Sequence, residues 1–385
     1  MIKILQVTAA YIPAYVYGGP TISVGNLCNA LIQKEVALTV ITTTANGKED
    51  FEYSNNTIIY REGVKVVYFR RLFKDHVQFS PGLLFYLWQH IRDFDIVHIH
   101  AWWNLTSIGS CIICVLNNKK FIVSPRGTLS QYSFYNRTSY PKRIFHRLIG
   151  KFILKKAFFL VSSAKEKRDL EALQLNKGKE IAIIPNVVQL PLSQHFKKQI
   201  TVTNSQPIRL LFFSRIEEKK RLNILIQALA GINIPFILNI YGSGKEAYVQ
   251  QLKQLVATLH LNESIHFCGA VYGDAKFGIL ASHDVLVLPS YDENFANVVL
   301  ESLYVGTALL VTASVGLSDY IADHNFGWIC RLDTEHIGKQ IEQISQSRDD
   351  LERISKTAPA AVKKDFDEKQ LAGMHYQFYS KIVFQ

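Results

Sequence analysis

Short apolar runs rich in β-branched residues alternate along this chain with longer stretches of helical periodicity, the pattern of parallel strands covered by helices. In the first half the strand candidates are Lys3–Thr8, Leu38–Thr43, Val64–Arg70, Ile96–His100, Phe121–Ser124, Phe158–Ser162 and Ile181–Pro185, most of them followed by a helical pattern. The periodicity weakens through residues 187–207, a polar stretch with two prolines that reads as an interdomain linker. It resumes with strands Arg209–Ser214, Phe236–Tyr241, Ile265–Cys268, Val285–Pro289, Ala308–Thr312 and Gly327–Arg331. Helices are expected from Leu222, over Lys245–His260, near Lys276 and over Asn297–Val305. The prediction is an α/β chain of two Rossmann-like, doubly wound domains, residues 1–190 and 205–362. Such a pair places its ligands in a cleft beyond the carboxyl ends of the strands. A length of 385 residues also suits two packed cores better than one.

Charge adds one local feature. Of the 43 Lys/Arg residues, set against 32 Asp/Glu, eleven fall between Lys142 and Lys179, where Glu166, Asp169 and Glu171 are the acids, so this stretch carries most of the net +11. Phe145, Leu148, Ile149, Phe152 and Ile153 interleave with the cations, which suits either a helix lying on an anionic membrane or a solvated face. Nucleic acid ranks below both, because no recognition motif accompanies the charge. The start, MIKILQVTAA, reads as a buried strand and not as a signal peptide, and no apolar run reaches the length of a spanning helix. The expected location is therefore cytoplasmic, free or peripheral at the inner face of the membrane. Five scattered cysteines fit reduced thiols, and the pair Cys111 and Cys114 lacks any zinc or redox context, so packing is its expected role.

The chemistry concentrates in PSYDENFANVVLESLYVGTALLVT. Glu293 lies just past a strand end, where its carboxylate can accept hydrogen bonds from sugar hydroxyls. Glu301, eight positions on, sits about one turn into a helix, where it can receive the two hydroxyls of a ribose. Between them the helix start offers backbone N–H groups of Phe295, Ala296 and Asn297 to an anion. This segment resembles the E-x7-E motif of the family 4 retaining glycosyltransferases, which have the two-domain GT-B fold. Glu293-Asn294-Phe295 stands where many relatives have Glu-Gly-Phe-Gly, and Gly306 stands at the expected helix-ending glycine.

The resemblance extends through most of the chain. In LLFFSRIEEKKRL, Arg215 and Lys220 match the family's diphosphate-binding cations, although Arg221 replaces the usual glycine and leaves Lys219 as a rival to Lys220. Two fixed cations can stabilise a departing pyrophosphate without a metal. Gly242 of ILNIYGSGKE marks the loop beside the nucleotide base, and Val271 and Tyr272 are candidate base contacts. In the first half Gly18 and Gly19 stand where relatives carry a Gly-Gly near the donor diphosphate, or form a plain turn. His100 is the candidate contact to the transferred sugar, while His98 reads as core. Trp102 is a candidate to stack on an acceptor pyranose. Arg126 is assigned to acceptor or donor contact, or else to a structural salt bridge. Ser163 and Glu166 read as a helix cap. In IIPNVV, Val187 replaces the glycine of the family's Pro-Asn-Gly turn. The last segment, residues 363–385, resembles the C-terminal helix that crosses back onto the N-terminal domain.

The resemblance implies a retaining hexosyltransferase that takes a sugar from a nucleotide diphosphate, UDP preferred to GDP by family frequency. The acceptor would be a saccharide or lipid-linked saccharide in cell-surface polysaccharide or lipopolysaccharide assembly, with no cofactor and no metal. Rival readings are a GT-B epimerase or phosphorylase and a catalytically silent sugar-binding or membrane scaffold. An NAD-dependent oxidoreductase is disfavoured because the first strand leads to Gly-Gly-Pro and not to GxGxxG.

Overall fold

A computed structural model describes residues 1–73, 77–136, 140–175, 179–191 and 206–385. Most of the expected linker, and Lys177 of the basic stretch, lie outside the described residues. The chain divides into two compact units, Met1–Gln189 with Glu368–Gln385, and Leu190–Asp367.

The first unit contains strands β1 (Ile2–Thr8), β2 (Val36–Thr43), β3 (Ala45–Asn46), β4 (Glu49–Asp50), β5 (Thr57–Arg61), β6 (Val64–Phe69), β7 (Ile96–His100), β8 (Phe121–Ser124), β9 (Phe158–Val161) and β10 (Ile181–Ile183). Eight of them form one sheet in the order β10-β9-β8-β7-β1-β2-β6-β5. Every neighbouring pair is parallel except the edge pair β5 and β6. Helices cover both faces, so the inner strands are apolar along their length; every residue of β7 and β8 is buried. Each strand expected here is present within about two residues of its predicted ends, whereas β3, β4 and β5 were not anticipated. β5 is a hairpin arm whose turn is set by Glu62 and Gly63, both with positive φ, 47° and 86°. Its half-exposed alternation, weaker than the buried runs around it, escapes a search for parallel strands. Cys111 and Cys114 are buried free thiols on the helix Leu105–Leu116, as expected for packing residues.

The second unit is a six-stranded parallel sheet, β13-β12-β11-β14-β15-β16, from β11 (Ile208–Phe213), β12 (Phe236–Tyr241), β13 (Ile265–Gly269), β14 (Val285–Leu288), β15 (Ala308–Thr312) and β16 (Gly327–Cys330). The single helix expected over residues 363–385 is interrupted: one helix ends at Asp365 and another, Glu368–Phe384, follows. The latter belongs to the first unit, where it packs against the helix Gly19–Leu31. It buries Leu371, His375, Tyr379 and Ile382, spaced at three or four residues as one helical face requires.

Candidate donor and sugar-contact sites

In the second unit the segments after β11 and after β14 converge. Tyr291 N–H donates to the Lys219 carbonyl at 2.8 Å, joining the short 3-10 turn Glu218–Lys220 to the loop that carries Glu293. That loop is held on its other side, because Glu293 N–H donates to Ser314 O (3.1 Å) and Gly316 N–H to Glu293 O (2.9 Å). The result is a buried ion pair between Lys220 Nζ and Glu293 Oε2, two candidate residues from separate motifs. Arg215, half exposed, pairs with Glu217 at 2.7 Å. Burial by itself would raise the Glu293 carboxyl, yet the Lys220, Lys219 and Arg215 charges outweigh it and hold it below the usual carboxylate range. Lys220 is lowered too, first by burial and then by Lys219 and Arg215, against the pull of Glu293. Burial disfavours the Lys220 ammonium, and the excess of positive charge from Lys219 and Arg215 adds to that effect while favouring the Glu293 carboxylate, so both partners move the same way. An excess of this kind suits an anionic ligand. Of the two rival lysines, Lys220 is the one engaged with Glu293.

Glu301 is buried on the helix Asn297–Tyr304 and accepts from Lys276 Nζ at 2.7 Å, a partner the sequence did not suggest. That helix begins at Ala296, whose side chain makes no capping hydrogen bond. Phe295 points its ring into the core, so any ligand contact by it is a backbone contact. Asn294 lies in the connecting loop, partly buried. Ala296 and Arg221 both adopt positive φ, 66° and 53°, and these are the positions where the resembling family has glycine. Gly306 ends the same helix at φ 81°. Gly242 and Gly244 are demanded by packing: a Cβ on Gly242 would lie 1.9 Å from the Ser214 carbonyl oxygen. That close approach knits the β12 loop to residues 214–216 and so fixes the backbone of Arg215. Val271 and Tyr272 lie in the loop after β13, with Tyr272 well exposed.

In the first unit Gly18 precedes the helix Gly19–Leu31 with φ 71° and ψ −144°, a conformation essentially reserved for glycine. His98 and His100 are both buried with ring centroids 4.2 Å apart; His98 is core, as expected. His100 is also almost wholly buried, and its Nδ1 has no hydrogen-bond partner. The stacking role expected of Trp102 is overturned: its ring is fully buried in the core of this unit, among residues such as Leu129 and Leu154, and presents no face to a sugar. The structural salt bridge considered for Arg126 is likewise replaced. Its Nη1 donates to the Asn186 side-chain oxygen, and its Nε is buried without a partner. Burial lowers the Arg126 guanidinium, partly offset by nearby Glu166. Ser163 caps the helix Ala164–Ala172, and Glu166 accepts from the amides of Ser162, just before the cap, and of Gly127 at 2.9 and 2.8 Å, which ties the helix start to a second loop. Val187 takes no left-handed angle, so the missing glycine costs this turn nothing.

Residues 17–190 match the family model for Glycosyltransferase Family 4, and residues 193–361 match that for Glycosyl transferases group 1. The chain belongs to the family 4 glycosyltransferases. Its fold is GT-B, as in the solved structures it resembles. Sucrose-phosphate synthase from Thermosynechococcus elongatus aligns over 99% of both chains with a TM-score of 0.79 and 17% identity. Anabaena HepE in complex with UDP-glucose aligns over 99% of this chain and 100% of that one, with a TM-score of 0.75 and 16% identity. In sequence, the N-acetyl-α-D-glucosaminyl L-malate synthase of Bacillus anthracis is 25% identical over 190 residues, 49% of each chain. The lipopolysaccharide core biosynthesis glycosyltransferase LpsE of Rhizobium meliloti is 28% identical over 165 residues, 42% of this chain and 47% of LpsE. The chain thus spans about half the length of these two sequence relatives.

Three features of this family 4 glycosyltransferase were missed in the sequence. Lys276 carries no motif of its own. Gln6 and Tyr379 lie far apart in the chain yet bond one another beside the buried histidines. Their apolar neighbours announced burial, and nothing announced the polar pairing.

Proposed function

We propose that this glycosyltransferase moves a hexose from a nucleotide diphosphate sugar, UDP in preference to GDP, onto a saccharide or lipid-linked saccharide with retention of anomeric configuration. The carrying observation is the convergence of Lys220, Glu293, Arg215 and Lys219 in one positively biased site of the second unit. Lys220 and Arg215 hold the diphosphate, the helix start at Ala296 receives a phosphate oxygen, and Glu301, oriented by Lys276, receives the ribose hydroxyls. Glu293 accepts from hydroxyls of the transferred sugar. In the reaction the bond from the anomeric carbon to the β-phosphate oxygen breaks, and the acceptor oxygen bonds to the same face of that carbon. The acceptor proton passes to the departing phosphate. The two cations stabilise the charge that develops there without a metal.

The acceptor surface belongs in this proposal. Tyr140, Ile144, Leu148 and Phe152 follow one another at every fourth position and are all exposed, Tyr140 at 76% and Leu148 at 71%. Arg143 and Arg147 stand beside them, exposed as well. An apolar row flanked by cations fits the interface of an anionic membrane, which supports a lipid-linked acceptor. No helix among the described residues is long and apolar enough to cross a membrane. Involvement in cell-surface polysaccharide assembly is supported by the likeness to LpsE. A calorimetric screen of UDP- and GDP-sugars, each with and without Mg²⁺, tests the donor reading. Heat of binding from one donor, unchanged by chelator, is the expected result, and silence across the panel refutes it.

A further inference from the structure

Five buried side chains of the first unit form a continuous hydrogen-bonded file whose direction is dictated at one end. Ser124 Oγ lies 2.7 Å from the carbonyl oxygen of Leu160. A carbonyl only accepts, so the hydroxyl proton of Ser124 is committed to it. Ser124 Oγ is then an acceptor towards His98 Nε2, 2.9 Å away, and His98 carries its proton on Nε2. Burial keeps His98 neutral, with Arg126 and His375 acting in the same direction, so its Nδ1 is a lone pair. That lone pair takes the hydroxyl proton of Tyr379 at 2.8 Å. The Tyr379 oxygen, its own proton engaged, accepts from the Gln6 amide nitrogen at 3.2 Å. Gln6 Oε1 is left to accept from His100 Nε2–H at 2.8 Å. Turning the Gln6 amide over would set its oxygen against a Tyr379 oxygen that has no proton to give, so the orientation follows from the file itself.

The file ends at His100 Nδ1, which is buried and has no partner. A buried acceptor left open is uncommon in a native core. We propose that Gln6, Tyr379 and His98 are positioning residues that fix His100 as its Nε2–H tautomer, so that Nδ1 offers the substrate a lone pair and recognises a sugar hydroxyl, not an anionic oxygen. This rests on the reading of His100 as a contact to the transferred sugar. It also gives the helix Glu368–Phe384 a chemical task, since Tyr379 is the link it supplies.

The test uses the full chain labelled with ¹⁵N-histidine. Long-range ¹H–¹⁵N correlation is expected to show protons on Nε2 of both His98 and His100 in the free protein. Binding of UDP is then compared with that of UDP-glucose, UDP-galactose, UDP-N-acetylglucosamine and GDP-mannose, in wild type and in Gln6→Met, Tyr379→Phe and His100→Ala. Gln6→Met and Tyr379→Phe should weaken the preferred nucleotide sugar roughly three- to tenfold, the worth of one neutral hydrogen bond, and leave bare UDP unchanged. Equal weakening of UDP and nucleotide sugar marks a structural effect and overturns the proposal, as does a proton on His100 Nδ1 in wild type. Wild-type sugar binding by His100→Ala overturns instead the substrate contact on which the proposal rests. Should one variant fail to fold, the wild-type spectrum and the other variant decide the matter.

Discussion

Lys220 and Glu293 stand 73 positions apart, in two motifs expected to serve one diphosphate, and their side chains meet in a largely buried ion pair. The meeting has a consequence for both groups. Each neutralises the other in a site that Lys219 and Arg215 keep positive, so under the proposed function a diphosphate would meet a lysine already placed and a carboxylate already ionised.

Removing one partner of this pair should harm both catalysis and stability. Lys220→Met is expected to lower turnover by about two to three orders of magnitude and to cost about 3 kcal/mol, because the largely buried Glu293 carboxylate loses its bonded cation and keeps only the more distant Lys219 and Arg215. Lys220→Met combined with Glu293→Gln should recover most of the stability and none of the activity. Denaturant unfolding of the single and double variants, run beside transfer assays, measures the two effects separately. Unchanged turnover in Lys220→Met would remove the diphosphate assignment.

The glycine positions make opposite predictions. Gly242→Ala puts a methyl group 1.9 Å from the Ser214 carbonyl oxygen, and only a backbone shift can relieve that clash. A loss of about 3 kcal/mol or more in the second unit is expected. Ala296→Gly replaces a side chain held at φ 66° with the residue that tolerates it, so stability should hold or rise by roughly 0.5 kcal/mol. Thermal melts of the two variants should therefore move in opposite directions, or the second should not move at all.

How far the molecule was legible from its residues follows from the range of each interaction. Buried parallel strands such as Phe121–Ser124 and Ala308–Thr312 carry their apolar signature within a few residues, and they were placed correctly. The hairpin arm Thr57–Arg61 has no such contrast and was missed. Among the site candidates, Glu293 and Lys220 were readable because each lies in a local motif. Lys276, Gln6 and Tyr379 were not, because what singles them out is a partner 25 to 373 positions away. Trp102 failed for a related reason: its local sequence suits a stacking platform equally well, and only the core packed around it removes that option.

Acid should destabilise the first unit well before its carboxylates are protonated. His146 and His375 are each lowered from 6.5 to about 4 by burial, and His98 and His100 are also held well below the usual imidazole range. These groups are neutral in the folded chain, whereas in the unfolded chain they take up protons below about pH 6.5. Between pH 6.5 and 4 the unfolded state binds more protons, so stability is complete above 6.5 and falls as the pH drops. His375→Gln removes one such group and should flatten the slope over that window by roughly 1.4 kcal/mol per pH unit. Urea unfolding at pH 7.5, 6 and 5 checks the sign, and stability that rises on acidification contradicts it.

The exposed row Tyr140, Ile144, Leu148 and Phe152 makes the membrane proposal separable from catalysis. Each apolar side chain that enters an interface contributes through its buried area, and each flanking cation contributes about 1 kcal/mol near an anionic surface. Leu148→Glu with Phe152→Glu removes two apolar contacts and adds two repelled charges. Its binding to vesicles containing phosphatidylglycerol should fall by at least tenfold, while binding to neutral phosphatidylcholine vesicles stays weak for both proteins. Donor binding should be unaffected, because neither Leu148 nor Phe152 is among the residues proposed to contact the donor, and both side chains are exposed. Reversing charge alone, with Arg143→Glu and Arg147→Glu, should weaken anionic binding and reduce its dependence on salt. Vesicle sedimentation at two ionic strengths distinguishes the apolar from the electrostatic share. If neither pair of substitutions changes the bound fraction, the row is a solvated face and the acceptor is presented some other way.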